Sequence, residues 1–136
     1  IDVVIGLNNQ HKNKIKKHCH SRGRSRWHLN VPHLADVIAK ADLSIGAGGT
    51  TTWERLCLGL PTVVFSVAKN QLSICEALGE DGYINYIGTS EKNSVAFLSE
   101  KICELVQSPE KLIRQSQLGQ QLVDGKGVKR INEVLL

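Results

Sequence analysis

Short β-branched runs alternate with helical patterns from one end of this chain to the other, and that alternation admits few folds. Repeated strand, helix, strand order builds βαβ units around a parallel sheet. "IDVVIGL" (residues 1–7) is a near-continuous apolar run, as a strand covered on both faces requires. "NNQHKNKIKKHC" after it reads as a helix with Asn9 as N-cap. "SRWHLN" reads as a strand, and "VPHLADVIAKA" as a helix that spaces Leu34, Val37 and Ile38 at helical intervals, with Pro32 in its first turn. "DLSIGA" is the next strand. Pro61 suits the first position of the strand "TVVFSV", which need not donate to the ladder. "NQLSICEALGEDG" reads as a helix closed by Gly79 or Gly82, and "YINYIG" as a short strand. "SEKNSVAFLSEKICELVQ" reads as a long helix whose Val95, Leu98, Ile102 and Leu105 recur at three and four residues. Pro109 starts another helix, and "DGKGVKRINEVLL" is a Gly-punctuated turn into a last short one. The expected class is α/β, three layers around a parallel sheet of at least four strands, with no internal repeat or linker.

Composition narrows the function classes. A chain of 136 residues supports one core of ordinary size, so a single domain over 1–136 is expected. It is 41% apolar, 22% charged and 4% aromatic, and no apolar run approaches the roughly 20 residues that span a bilayer. Cys19, Cys57, Cys75 and Cys103 lie far apart with no CxxC pair, which reads as the reduced thiols of a cytoplasmic protein. The net charge of +4 is uneven, because Lys12, Lys14, Lys16, Lys17, Arg22, Arg24 and Arg26 crowd one segment. That run has only Trp27 at its edge and matches no nucleic-acid motif, so it reads as a solvated helix face and loop, open to small anionic ligands. The chain opens at Ile1 inside an apolar run and contains no Met, which reads as a fragment excised from a longer protein.

The most informative stretch is "GAGGTTTWERLCLGLP", residues 46–61. A strand ending at Ala47, then two glycines, then hydroxyl residues opening a helix, is the geometry of an anion site. The first N–H groups of a helix lack intrahelical partners, its dipole adds positive charge there, and glycine lets the backbone approach a phosphate. Thr50, Thr51 and Thr52 add hydroxyl donors, and a turn of this kind sits at the carboxyl end of a parallel strand, where open α/β sheets bind ligands. The competing reading is a plain strand-to-helix turn with a Thr cap. Neither common phosphate loop is present: no GKS or GKT ending, and no GxGxxG spacing. Glu54, one turn into the same helix, suits two vicinal hydroxyls such as those of a ribose, or simply favours the helix dipole.

"ADLSIGAGGTTTWERLCLGLPTVV", followed by Asn70 and Gln71, resembles the carboxyl-terminal half of the UDP-sugar hydrolases of pseudaminic acid biosynthesis, often labelled spore-coat polysaccharide proteins. The resemblance runs from "VVIG" to "DGKGVKRI" and includes Asn9 and His11 of an N-P-H motif, with Gln10 in place of the usual Pro. It implies a Rossmann-like, GT-B carboxyl-terminal domain that binds UDP or a UDP-sugar without a cofactor. By position it implies that Gly48, Gly49, Thr50 and Thr51 hold the diphosphate and that Glu54 takes the ribose. Val31 would present backbone groups to the uracil, and Asn70 and Gln71 would face the sugar or its phosphate, unless these two are an N-cap and its neighbour. It further implies that the catalytic His belongs to a separate amino-terminal domain, and that an earlier Gly-rich phosphate loop precedes Ile1, with the first β/α unit of this domain. No catalytic residue is then expected in this chain. A GT-B glycosyltransferase and a non-catalytic nucleotide-sugar binding domain remain as alternatives.

Other constellations are weaker. "HCH" at 18–20, with His11 and His28 nearby, lacks the paired spacing of a zinc site, so no metal is expected. Cys57, Cys75, Ser44 and Ser66 lack the setting of a nucleophile and read as core residues. His33, after the uracil loop, is the histidine least easily assigned to packing.

Overall fold

The computed structural model describes residues 1–136, apart from the side chain of Lys92. The chain divides into two compact units, Ile1–Val37 and Ile38–Leu136.

The first unit is a single βαβ. β1 (Asp2–Ile5) pairs in parallel with β2 (Arg26–Leu29), and α1 (Lys12–Arg22) connects them. Ile15, half-buried, and Cys19, buried, lie one turn apart on the face that α1 turns inward. The helix starts two residues later than its sequence implies. Asn9 is not the N-cap: its Oδ1 accepts from the His11 N–H at 2.8 Å, and His11 occupies the cap position. The chain therefore spends Asn9 on an Asx turn before the helix begins. α1 ends at Gly23, in the left-handed region at φ 64°. "VPHLADVIAKA" yields only the four-residue α2 (Ala35–Ile38), with Pro32 outside it. Its Leu34 and Val37 are only partly buried, so little packing supports a longer helix.

The second unit carries the order β3 (Ser44–Ala47), β4 (Thr62–Ser66), β5 (Asn85–Thr89) in one parallel sheet. α3 (Thr51–Cys57) crosses from β3 to β4, and α4 (Leu72–Glu80) from β4 to β5. α5 (Val95–Val106), α6 (Pro109–Leu122) and α7 (Gly127–Leu135) follow. β4 is central and fully buried at Thr62, Val63 and Val64, as its unbroken apolar run requires. The register of β5 slips by one residue against β4, Val64 facing Tyr86 but Ser66 facing Thr89, and Gly88 absorbs the bulge at φ 87°. Leu56, Val64, Cys75, Leu78 and Ile84 form the core, with Tyr83, Tyr86 and Val123 against it.

All five strands pair in parallel, as the α/β reading expects, but in sheets of two and three rather than in one sheet of at least four, since β2 and β3 share no ladder. Three local expectations change. Gly79 lies inside α4, whereas Gly82 at φ 78° closes it. The long helix begins at Val95 rather than Ser90, because Ser94 caps it by accepting from the Phe97 N–H at 3.1 Å. Val95 is exposed, so the inward stripe of α5 runs through the half-buried Leu98 and Ile102 to the buried Leu105. Pro109 opens α6 as expected.

Candidate functional site

β3 ends at Ala47, and the Gly48 N–H still completes the ladder by donating to Phe65 O at 3.1 Å. The chain then turns through Gly49 and Thr50 into α3, at the carboxyl edge of the sheet. Thr52 N–H donates to Gly49 O and Trp53 N–H to Thr50 O, both at 3.0 Å. Among the described residues the N–H groups of Gly49, Thr50 and Thr51 find no backbone acceptor. The ladder and the helix thus leave three successive donors unpaired. Gly49 has open space where a Cβ would stand, and Gly48 has none, since a Cβ there would overlap the Cys75 Sγ. One glycine lets a ligand near the backbone; the other lets the core pack beneath it. Burial pushes the Cys75 thiol up, which keeps it an inert packing group.

Thr50 holds the N-cap position, but its side chain makes no capping bond and is exposed. Its hydroxyl remains open to a ligand, against the capped-turn reading. Thr52 departs from the expected set of donors. Its buried hydroxyl points to Ala47 O at 3.5 Å and accepts from Arg55 Nη2 at 3.1 Å, so it serves the fold. Glu54 is exposed on the first turn of α3.

The residue that sequence reasoning missed is Arg55, 4% exposed. Its Nε donates to Thr51 O at 3.2 Å, Nη1 to Thr62 Oγ1 at 2.8 Å, and Nη2 to Ala47 O at 2.9 Å. One guanidinium therefore ties the end of β3, the start of β4 and the first turn of α3. Burial pulls its pKa down, yet arginine stays protonated. No carboxylate makes an ion pair with it among the described residues. The exposed Glu54 acts on this charge only from beyond ion-pair distance, so a guanidinium held by hydrogen bonds lies behind the free N–H groups. An Arg at helical position 55 reads in sequence as a surface residue, and its burial against strand ends brought close by the fold was not visible.

Asn70 and Gln71 lie in the 3₁₀ turn Lys69–Gln71, which follows β4 as the Gly48–Thr51 turn follows the adjacent β3. Both loops therefore stand at the same sheet edge. Asn70 is exposed, whereas Gln71 is partly engaged: its Oε1 accepts from the Val67 N–H at 3.0 Å, and it takes the cap position before α4. Val31 belongs to the first unit, in the segment after β2, next to Asn30 at φ 50°.

The readings of other residues resolve locally. Cys75 and Ser66 are buried, the latter hydrogen-bonded to Tyr86 Oη at 2.8 Å. Cys57 and Ser44 are half-buried, and Ser44 Oγ donates to Thr62 Oγ1 at 2.8 Å. His28 lies in β2 with Nε2 at 2.6 Å from Asp2 Oδ1, and Arg26 clasps the same carboxylate with two bonds of 2.8 Å. Arg26, and after it His28, hold the Asp2 carboxyl well below the usual carboxylate range. A separate cleft of about 420 Å³ in the second unit is lined by Asn85, Tyr86, Phe97, Lys101 and Glu104 among others, and shares no residue with the turn. No helix is long and apolar enough to cross a membrane, and no cluster of metal ligands occurs among the described residues.

No family model matches the chain. It is 24% identical over 132 residues to the spore coat polysaccharide biosynthesis protein SpsG of Bacillus subtilis (strain 168), covering 97% of this chain and 39% of that protein. A solved structure described as the GtfA/B complex superposes with a TM-score of 0.57 at 20% identity, over 91% of this chain and 26% of the other. The fold is the Rossmann-like α/β arrangement of GT-B glycosyltransferases, and a polysaccharide-biosynthesis protein is a distant relative.

Proposed function

We propose that this chain is the UDP-sugar-binding part of a cytoplasmic hydrolase that acts in nonulosonic acid or surface polysaccharide biosynthesis. The observation that carries the reading is the run of three free N–H groups at Gly49, Thr50 and Thr51, with the Arg55 charge behind it. Oriented donors of this kind hold phosphate oxygens without reorganising. In this reading the Gly48–Thr51 turn and the Thr50 hydroxyl take the diphosphate, and Glu54 accepts from the two ribose hydroxyls. Asn70 and Gln71 meet the sugar side, Gln71 through whatever donor capacity its contact with Val67 leaves free.

The chemistry follows from what the turn grips. Water adds to the anomeric carbon, the bond from that carbon to the diphosphate oxygen breaks, UDP leaves with the electron pair, and a base takes the proton of the water. The base must stand within about 3 Å of that water, on the side of the sugar away from the diphosphate. A domain that holds the leaving group does not offer that side, so the base comes from an additional amino-terminal domain. The 39% coverage of the Bacillus relative leaves room for one in a longer protein. The likeness to a glycosyltransferase-type fold supports a second reading, in which the same domain serves transfer to an acceptor instead of water. A purely nucleotide-binding role is the third. Turnover of a UDP-linked diacetamido sugar after the additional domain is supplied, with and without candidate acceptors, separates the three.

The nucleotide site itself is tested by titrating UDP into the chain and its Glu54→Ala variant. The substitution is expected to weaken UDP by about 1–3 kcal/mol, the penalty for leaving polar groups unpaired, and to matter much less for the 2′,3′-dideoxy nucleotide. Equal losses for both nucleotides refute the ribose role of Glu54.

A further inference from the structure

Seven Lys and Arg residues stand against two acids in Ile1–Val37, while the remainder of the chain carries ten against eleven. The excess concentrates on α1 and the loop after it. α1 contains no acidic residue, and Lys14, Lys16, Lys17, His18 and His20 are all exposed on the faces away from Ile15 and Cys19.

This arrangement works against the helix. Lys12 and Lys14 sit in the first turn, at the positive end of the dipole, with no acid to offset them. Lys12 and Lys16 repel at i,i+4, and Lys14 and Lys17 at i,i+3. A solvated face that served only solubility would mix signs. Local rules broken together in one place mark a surface shaped by something outside the fold, and here that something is negatively charged.

We propose that the outward face of α1 docks on a bilayer surface of anionic lipid. Charge complementarity is the first ground: clusters of four to eight Lys and Arg on a helix are what such surfaces attract, at about 1 kcal/mol for each residue close to the headgroups. Two further observations favour lipid over nucleic acid. Trp27 is the aromatic residue beside this surface; it is half-buried and Lys16 Nζ stands over its ring at 5.0 Å, so little of the ring is left for base stacking. Leu7, 52% exposed in the turn before α1, provides an apolar contact beside Lys12, whose Nζ donates to Leu7 O at 3.3 Å. A leucine suits the boundary between headgroups and acyl chains, an apolar layer that a nucleic-acid backbone lacks.

The test is flotation of the chain with vesicles of phosphatidylcholine alone or containing about 30% phosphatidylglycerol, at low and high salt. Retention is expected on the anionic vesicles at about 50 mM NaCl and its loss near 500 mM, where screening shortens to a few ångströms. Lys14→Glu with Lys17→Glu should lower retention by about 30-fold or more. The variant should stay folded, since acids in the first half of α1 suit its dipole. Lys126→Glu with Lys129→Glu, the same change of net charge in the second unit, should leave retention within about twofold if the α1 face is what docks. Equal loss in that control, equal retention on neutral vesicles, or capture by double-stranded DNA with none on lipid would each overturn the proposal.

Discussion

Gly48→Ala probes the packing beneath the turn, where one methyl group has nowhere to go. Its Cβ would overlap the Sγ of Cys75, a side chain 1% exposed in the core of the second unit. The other neighbours sit at ordinary contact distances, Val64 Cγ1 at 3.4 Å and Cys75 Cβ at 3.8 Å. Gly48 is not among the positive-φ glycines, so backbone strain does not enter. The cost is overpacking against a single atom, about 1–3 kcal/mol. Cys75→Ala deletes that atom and leaves a small cavity, at about 1–2 kcal/mol. In the double variant the new methyl occupies the space the sulfur vacated. Its total loss should therefore match Cys75→Ala alone or fall below it, with a coupling of about 1–3 kcal/mol between the two sites. Urea unfolding of the four proteins, followed by far-ultraviolet circular dichroism at constant m, measures the cycle. Additive losses, or a Gly48→Ala protein with an unchanged midpoint, would refute the packing argument.

Arg55→Met removes the donors from Ala47 O, Thr51 O and the Thr52 and Thr62 hydroxyls, and should lower stability by about 2–4 kcal/mol. If the charge also serves the turn, Arg55→Lys should keep more of the thermal shift produced by pyrophosphate than Arg55→Met; equal shifts in all three proteins refute that role. Gln115→Leu leaves the buried Thr62 N–H without its acceptor at 2.9 Å, at a cost of about 1–3 kcal/mol in chemical denaturation, and a neutral outcome refutes it. Asp2→Asn should cost about 1 kcal/mol at pH 7, the scale of a partly exposed ion pair. Because the folded Asp2 titrates below its unfolded value, its contribution is present above about pH 4 and fades as the pH falls further. A gap between wild type and Asp2→Asn that holds constant into acid would contradict this.

Much of the architecture was legible because its signals are periodic or chemically particular. The unbroken apolar run of β4, Pro109 at the head of α6 and the glycine pair after β3 all mean what they usually mean. Boundaries set by competition between side chains and backbone were not legible. Asn9 and Ser94 both compete for nearby N–H groups, one by a turn ahead of a helix and the other by a true cap, and local sequence does not distinguish these uses. In the candidate site, the strand-to-helix turn through Gly48, Gly49 and Thr50 was legible, because the backbone decides it. The site was not legible at Thr52, Arg55 or Gln71, whose hydrogen bonds depend on strands brought close by the fold.

Gln115 carries a consequence for how this sequence can change. Its single Oε1, on α6, accepts from the Thr62 backbone N–H and from Asn85 Nδ2 at 3.0 Å. The first donor belongs to the main chain and persists whatever residue replaces Thr62, unless that residue is proline. Variation at 62 therefore does not release 115, whereas variation at 115 burdens both strands at once. Position 85 is freer, since any replacement there can drop its own donor along with its side chain. Relatives of this chain should thus show a one-sided dependence: an acceptor kept at 115 across varied residues at 62 and 85, and, where 115 turns apolar, a proline at 62 or a new acceptor arriving from another element.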